Sequence, residues 1–204
     1  MDTSLRFWLE ITGKWGADRS DRVAVHRLLL NAYSAKSRYY HDLTHIEHMF
    51  EVANDVTNQI QDHDAMYFAI WFHDAIQKLG RDNEALSAEL AKKQLSALGV
   101  NKGVCEVVAS LILSTAHRQE GALSNDASLL VDIDLGILGS ERINYQAYSD
   151  LCRKEYKIPD QIYCSGRRKV LKAFLSRNVI FNTPYFIERY ERQARKNIQW
   201  ELSL

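Results

Sequence analysis

Proline is almost absent. The 204 residues hold two, Pro159 and Pro184, so almost nothing bars long segments from helix by removing an N–H. Cysteine is nearly as scarce: Cys105, Cys152 and Cys164 are odd in number and never in CxxC spacing. That excludes a disulfide framework and a zinc ribbon, and it fits a reducing cytosol. No run approaches the roughly 18 apolar residues of a membrane span. The start, MDTSLRFWLEITGKWG, carries acidic Asp2 and Glu10 and only a short apolar stretch, so it does not read as a signal peptide. Asn-Gly hairpin signals, repeats and low-complexity tracts are missing. Net charge is missing as well, since 26 Lys and Arg balance 26 Asp and Glu; a dedicated nucleic-acid binder needs a basic excess. The expected setting is cytoplasmic, with neither a membrane nor a nucleic acid as partner.

What is present is helical periodicity. With 46% hydrophobic and 25% charged residues, the chain reads as an ordinary globular protein, one domain over residues 1–204 and long enough for a substantial core. THIEHMFEVANDV places Ile46, Met49, Phe50, Ala53 and Val56 on one stripe of 3.6-residue period. HDAMYFAIWFHDAI is apolar nearly all round and reads as a central buried helix. DNEALSAELAKKQLSALG has an acidic start and Gly99 placed like a C-cap. Both prolines stand at the first turn of an expected helix, Pro184 behind an N-capping Thr183. The expectation is an all-α helical bundle of about eight to ten helices. Charge is uneven: from Leu151 onward twelve Lys and Arg face five Asp and Glu. These are either solvated helix faces or a positive wall for an anionic substrate.

Polar residues then appear where the core should be. In WFHDAIQ, His73 and Asp74 interrupt the most apolar segment. A divalent metal gives a physical reason for the pair, because it takes an imidazole nitrogen and a carboxylate oxygen and offsets the cost of burying the charge. His41, His45 and His48 cluster in YYHDLTHIEHMF; at helical spacing His45 shares a face with either neighbour. Asp132 and Asp134 sit inside LLVDIDLGILG and need partners or a cation. Gly136 and Gly139 beside them allow close approach of a helix or a substrate.

The order His45, His73–Asp74, then Asp132 or Asp134 resembles the H…HD…D signature of the HD-domain superfamily of metal-dependent phosphohydrolases. The gaps, 28 residues from His45 to His73 and 58 from Asp74 to Asp132, are similar to those of that superfamily. RYYHDLTHIEHM, DNEALSAELA, LSTAH, VDIDLGILG, EYKIP, GRRKVLKAFL and ERYERQARKNIQWEL also resemble a bacterial subfamily of HD phosphohydrolases, over most of the chain. The resemblance implies an all-α HD fold, one divalent ion and hydrolysis of a phosphate ester. The substrate is expected to be a small phosphorylated metabolite such as a nucleotide, with phosphomonoester and phosphodiester both open.

On that resemblance His45, His73, Asp74 and Asp132 hold the metal. Asp134 stays as the alternative fourth ligand, because it shares a helical face with Leu130, Val131, Ile137 and Leu138. Two imidazoles with carboxylates suit Mn, Fe, Co, Ni or Zn better than Mg. Asp74 would both ligate and orient water. Asn83, Glu84 and Ser87 are expected to border the pocket, Glu84 as general base or proton shuttle. Arg38, His41, His117 and Arg167 are the expected phosphate contacts. Assembly as a homodimer is the remaining partner expectation. The rival from another class is a non-catalytic regulatory or ligand-binding HD domain. An unrelated zinc hydrolase built on His41 and His45 fails the HExxH pattern, since position 42 is Asp42. An RNA-directed activity of the basic C-terminal third would show as steeply salt-sensitive binding.

Overall fold

The structure, a computed structural model, describes residues 3–116 and 122–204. Among the described residues there are ten α-helices and no strand, as the periodicity and the lack of hairpin signals require. In chain order they are α1 (Thr3–Thr12), α2 (Arg19–Tyr33), α3 (Leu43–Asp55), α4 (His63–Phe72), α5 (Asn83–Ala97), α6 (Lys102–Ser114), α7 (Asn125–Leu135), α8 (Arg142–Glu155), α9 (Asp160–Ser176) and α10 (Pro184–Ser203). The chain divides into two compact units. The first comprises Met1–Ala35 and His41–Leu130, the second Lys36–Tyr40 and Val131–Leu204. None of the three changes of unit coincides with a Pro- or Gly-rich stretch.

Four successive helices of the first unit start on a side-chain cap. Asp42 accepts from the Thr44 amide (2.8 Å), Asp62 from Ala65 (2.9 Å), Asp82 from Ala85 (3.2 Å) and Asn101 from Val104 (2.9 Å). Each satisfies an amide that the first turn leaves open, worth about 1 kcal/mol. At the other end of α5 the Gly99 expectation is met. Gly99 takes φ +77°, its amide donates to Ser96 O (3.0 Å) and that of Val100 to Leu95 O (3.0 Å), a Schellman closure. A Cβ at Gly99 would lie 2.3 Å from the Trp15 carbonyl oxygen, so space as well as φ demands glycine.

The core of the first unit is built around α4. Ala65, Met66, Phe68, Ala69, Ile70, Trp71 and Phe72 are all buried, because α4 packs against α3, α5 and α6. Trp8 of α1 adds edge-to-face contacts with Phe68 and Trp71 and donates through Nε1 to Arg22 O at 2.8 Å. One expectation needs correcting. The apolar run does not carry His73 and Asp74 inside a helix: α4 ends at Phe72, and the pair follows in a turn. The His73 amide still closes the last α4 turn on Ala69 O at 2.8 Å.

In the second unit, α10 packs on the short 3-10 turn Gly136–Gly139 and on α9. A Cβ at Gly139 would come within 2.5 Å of Tyr190 Cβ, whereas one at Gly136 would meet nothing within 4 Å. Only Gly139, therefore, admits a neighbouring helix. Arg195 pairs with Glu191 at 2.6 Å and donates to the carbonyls of Leu175, Arg177 and Asn178, which closes the end of α9.

Candidate metal centre

The first unit brings three of the expected ligands together. One ligand atom each from His45, His73 and Asp74 lies within 4.8 Å of the others, so the group can hold a metal ion. The two imidazoles are buried, and the Asp74 side chain is 25% exposed, which leaves one side of the group open. His45 Nε2 and His73 Nε2 are 3.3 Å apart, and His73 Nε2 is 3.4 Å from Asp74 Oδ2. A tetrahedral ion with bonds of about 2.1 Å has donor–donor edges of about 3.4 Å. Both separations match that edge.

Local chain chemistry explains the convergence. His45 is the third residue of α3, aimed by the helix that Asp42 caps. His73 Nδ1 is 2.9 Å from Ile70 O. A carbonyl only accepts, so the proton of neutral His73 sits on Nδ1 and Nε2 presents a lone pair. The group also stands at the C-terminal end of α4, where unsatisfied carbonyls favour a cation.

Sequence reasoning passed over Ile70 O, which has no side-chain signal. It also passed over Asp126, whose carboxylate accepts from the Gln61 and Asp62 amides (2.9 and 2.8 Å) and pins the entry to α4.

His41 precedes α3 rather than sharing its face. Its ring centroid lies 5.7 Å from that of His45, and its Nε2 is 3.8 Å from Asp74 Oδ2. His41 therefore borders the group without being one of its three members. Asn83 and Ser87 lie close behind the group in sequence and clamp the loop that leaves it. Asn83 Oδ1 accepts from the Lys78 amide at 2.8 Å, and Ser87 Oγ, fully buried, from the Ile76 amide at 3.1 Å. Glu84 sits half-buried in the first turn of α5. His117 lies outside the described residues.

Asp132, Asp134, Arg38 and Arg167 belong to the second unit. Asp132 is fully buried, and four donors occupy its two oxygens. Asn182 gives its amide and Nδ2 to Oδ1 (2.8 and 2.9 Å); Thr183 gives its amide and Oγ1 to Oδ2 (2.7 and 2.8 Å). Burial pushes the Asp132 carboxyl above its ordinary value while these bonds pull it down. The carboxylate is thus fully hydrogen-bonded without a cation, and it caps the approach to α10 instead of the start of its own helix. Asp134 is half-buried two residues on.

Arg38 is buried in a segment that Glu155 secures, its carboxylate accepting from the Tyr39 and Tyr40 amides at 2.8 and 3.0 Å. Arg167 forks onto Glu201, with Nε to Oε1 at 2.8 Å and Nη2 to Oε2 at 3.1 Å. In the basic C-terminal third, Arg153, Arg167 and Arg195 are each paired with a carboxylate of the same chain.

No family model, no curated protein and no solved structure matches this chain. No helix among the described residues is long and apolar enough to cross a membrane.

Proposed function

We propose that the protein is a metal-dependent phosphohydrolase acting on a small phosphorylated metabolite. One observation carries the reading: three donors of the right chemistry, two of them buried, lie within 4.8 Å of one another, and His73 stands at the edge length of a first-row divalent ion from each of the other two. Imidazole and carboxylate together suit Mn, Fe, Co, Ni or Zn better than Mg. The resemblance of the His45, His73–Asp74 order to HD proteins supports the same reading.

A divalent ion, when bound, supplies Lewis-acid polarisation of a phosphoryl oxygen and acidifies water. The chain does the rest. Ile70 O holds His73 in one tautomer. Asp74, a quarter exposed, would orient water on the open side. His41 stands beside Asp74 to meet a phosphate oxygen. Asn83 and Ser87 fix the loop behind Asp74 and so hold its position.

The test is metal analysis of purified protein, then a phosphate-release screen over nucleotides and sugar phosphates with Mn, Co, Ni, Zn and Mg. Stoichiometric metal with turnover supports the reading. Stoichiometric metal with no turnover on any ester would favour the regulatory HD domain instead. Absence of metal, with a His73→Ala variant indistinguishable from wild type, would end both.

A further inference from the structure

The second unit contains a cavity of about 330 Å³ bounded by α8, α9 and the end of α10. That volume falls at the lower end of small-molecule sites, about 300–1,000 Å³. Its walls carry three guanidiniums, Arg153, Arg167 and Arg168, against two carboxylates, Asp150 and Glu201.

Two of these five groups are already engaged. Arg153 pairs with Asp160, donates to Tyr156 O and Ile158 O, and lies 4.8 Å over the Tyr163 ring. Glu201 accepts two bonds from Arg167 and one from the Tyr145 hydroxyl at 2.6 Å. What is left over is mostly donor.

Arg167 has five N–H groups. Three go to Glu201 and to the Tyr148 hydroxyl, the last at 2.9 Å. The other two have no acceptor among the described residues, although the side chain is only 15% exposed. A guanidinium stays charged, so open donors with so little access to water call for an acceptor brought from outside. Arg168, exposed at the same wall, commits one N–H to Leu202 O at 3.1 Å. Planar donors in this arrangement match the paired oxygens of a carboxylate or phosphate.

We propose that this cavity binds a small oxyanion-bearing metabolite, its carboxylate or phosphate held by the open N–H groups of Arg167 and by Arg168. The site is a property of the second unit and does not depend on the metal reading.

Cys164 supplies the reporter. It is exposed and lines the cavity, whereas Cys105 and Cys152 are buried. N-ethylmaleimide acting on the native full-length protein therefore reads Cys164, and peptide mass spectrometry follows its rate. Inorganic phosphate and succinate are titrated separately, with chloride holding the ionic strength constant. At least one of them is expected to slow alkylation saturably, at least fivefold, and which one does so identifies the anion. Arg168→Gln, an exposed substitution, is expected to raise the half-saturating concentration at least tenfold. Alkylation unchanged by both anions, or protected equally in Arg168→Gln, overturns the proposal.

Discussion

His45 and His73 turn their Nε2 atoms toward each other at 3.3 Å, although 28 residues separate them. Without a cation, the pair can share one proton at most. With one, both lone pairs are used and the carboxylate of Asp74, 3.4 Å from His73, balances charge. The full-length protein is therefore expected to bind one divalent ion. His73→Ala is expected to weaken it on the order of a hundredfold or more, beyond the loss typical of a supporting residue. Calorimetric titration with Mn and Zn reads this, and circular dichroism checks the helices. Equal affinity in the variant would remove His73 from the site.

Ser87 tests how the site is held. Its Oγ is the acceptor for the Ile76 amide, two residues beyond Asp74. Ser87→Ala leaves that amide without its partner and is expected to cost about 1–3 kcal/mol in denaturant unfolding. Metal affinity should fall with it, since the turn carrying Asp74 loosens. Lost stability with unchanged metal affinity would show that the clamp and the metal group are uncoupled.

Asp132 and metal binding separate in a stability experiment. Asp132→Ala strands the four donors of Asn182 and Thr183, and a loss on the order of 3 kcal/mol is expected. Added divalent ion should restore none of it. A variant whose thermal stability returned with excess ion would make Asp132 a ligand after all.

Glu201 gives the second unit a pH dependence. Burial raises its carboxyl, but the hydrogen bond and charge of Arg167, with further bonds from Tyr145 and Ser149, outweigh that and hold it below its ordinary 4.5. The unfolded chain then takes up the proton first on acidification. The contribution to stability is complete above the unfolded value and is lost as pH falls through the lower folded one. Glu201→Gln should flatten the acid limb of Tm against pH below about 4.5, relative to wild type. An acid limb of unchanged steepness would mean that the pair adds no pH-dependent stability.

Much of the fold was legible because helix signals are local. The stripe from Ile46 to Val56, the greasy run ending in Phe72, Gly99 and Pro184 all act within a few residues of themselves, and the helices formed where they pointed, although the Thr183 hydroxyl makes no cap bond and donates to Asp132 instead. The end of α4 was not legible. An apolar pattern continues through WFHDAI, but the backbone leaves the helix after Phe72, where Ser87 and Asn83 take the amides of Ile76 and Lys78. The fork of Arg167 onto Glu201 was not legible either, because the two lie 34 residues apart.

By its residue types and spacings alone, the chain determined that it would be helical, where most helices begin, and which histidines and aspartates needed explaining. Tertiary structure decided which of those were brought together. His45, His73 and Asp74 met because two helix ends were packed side by side. Asp132 was turned to two amides and two side chains around fifty residues away, a partnership that no local pattern encodes. Helix propensity acts over a few residues. The satisfaction of a buried charge depends on whatever packing places next to it.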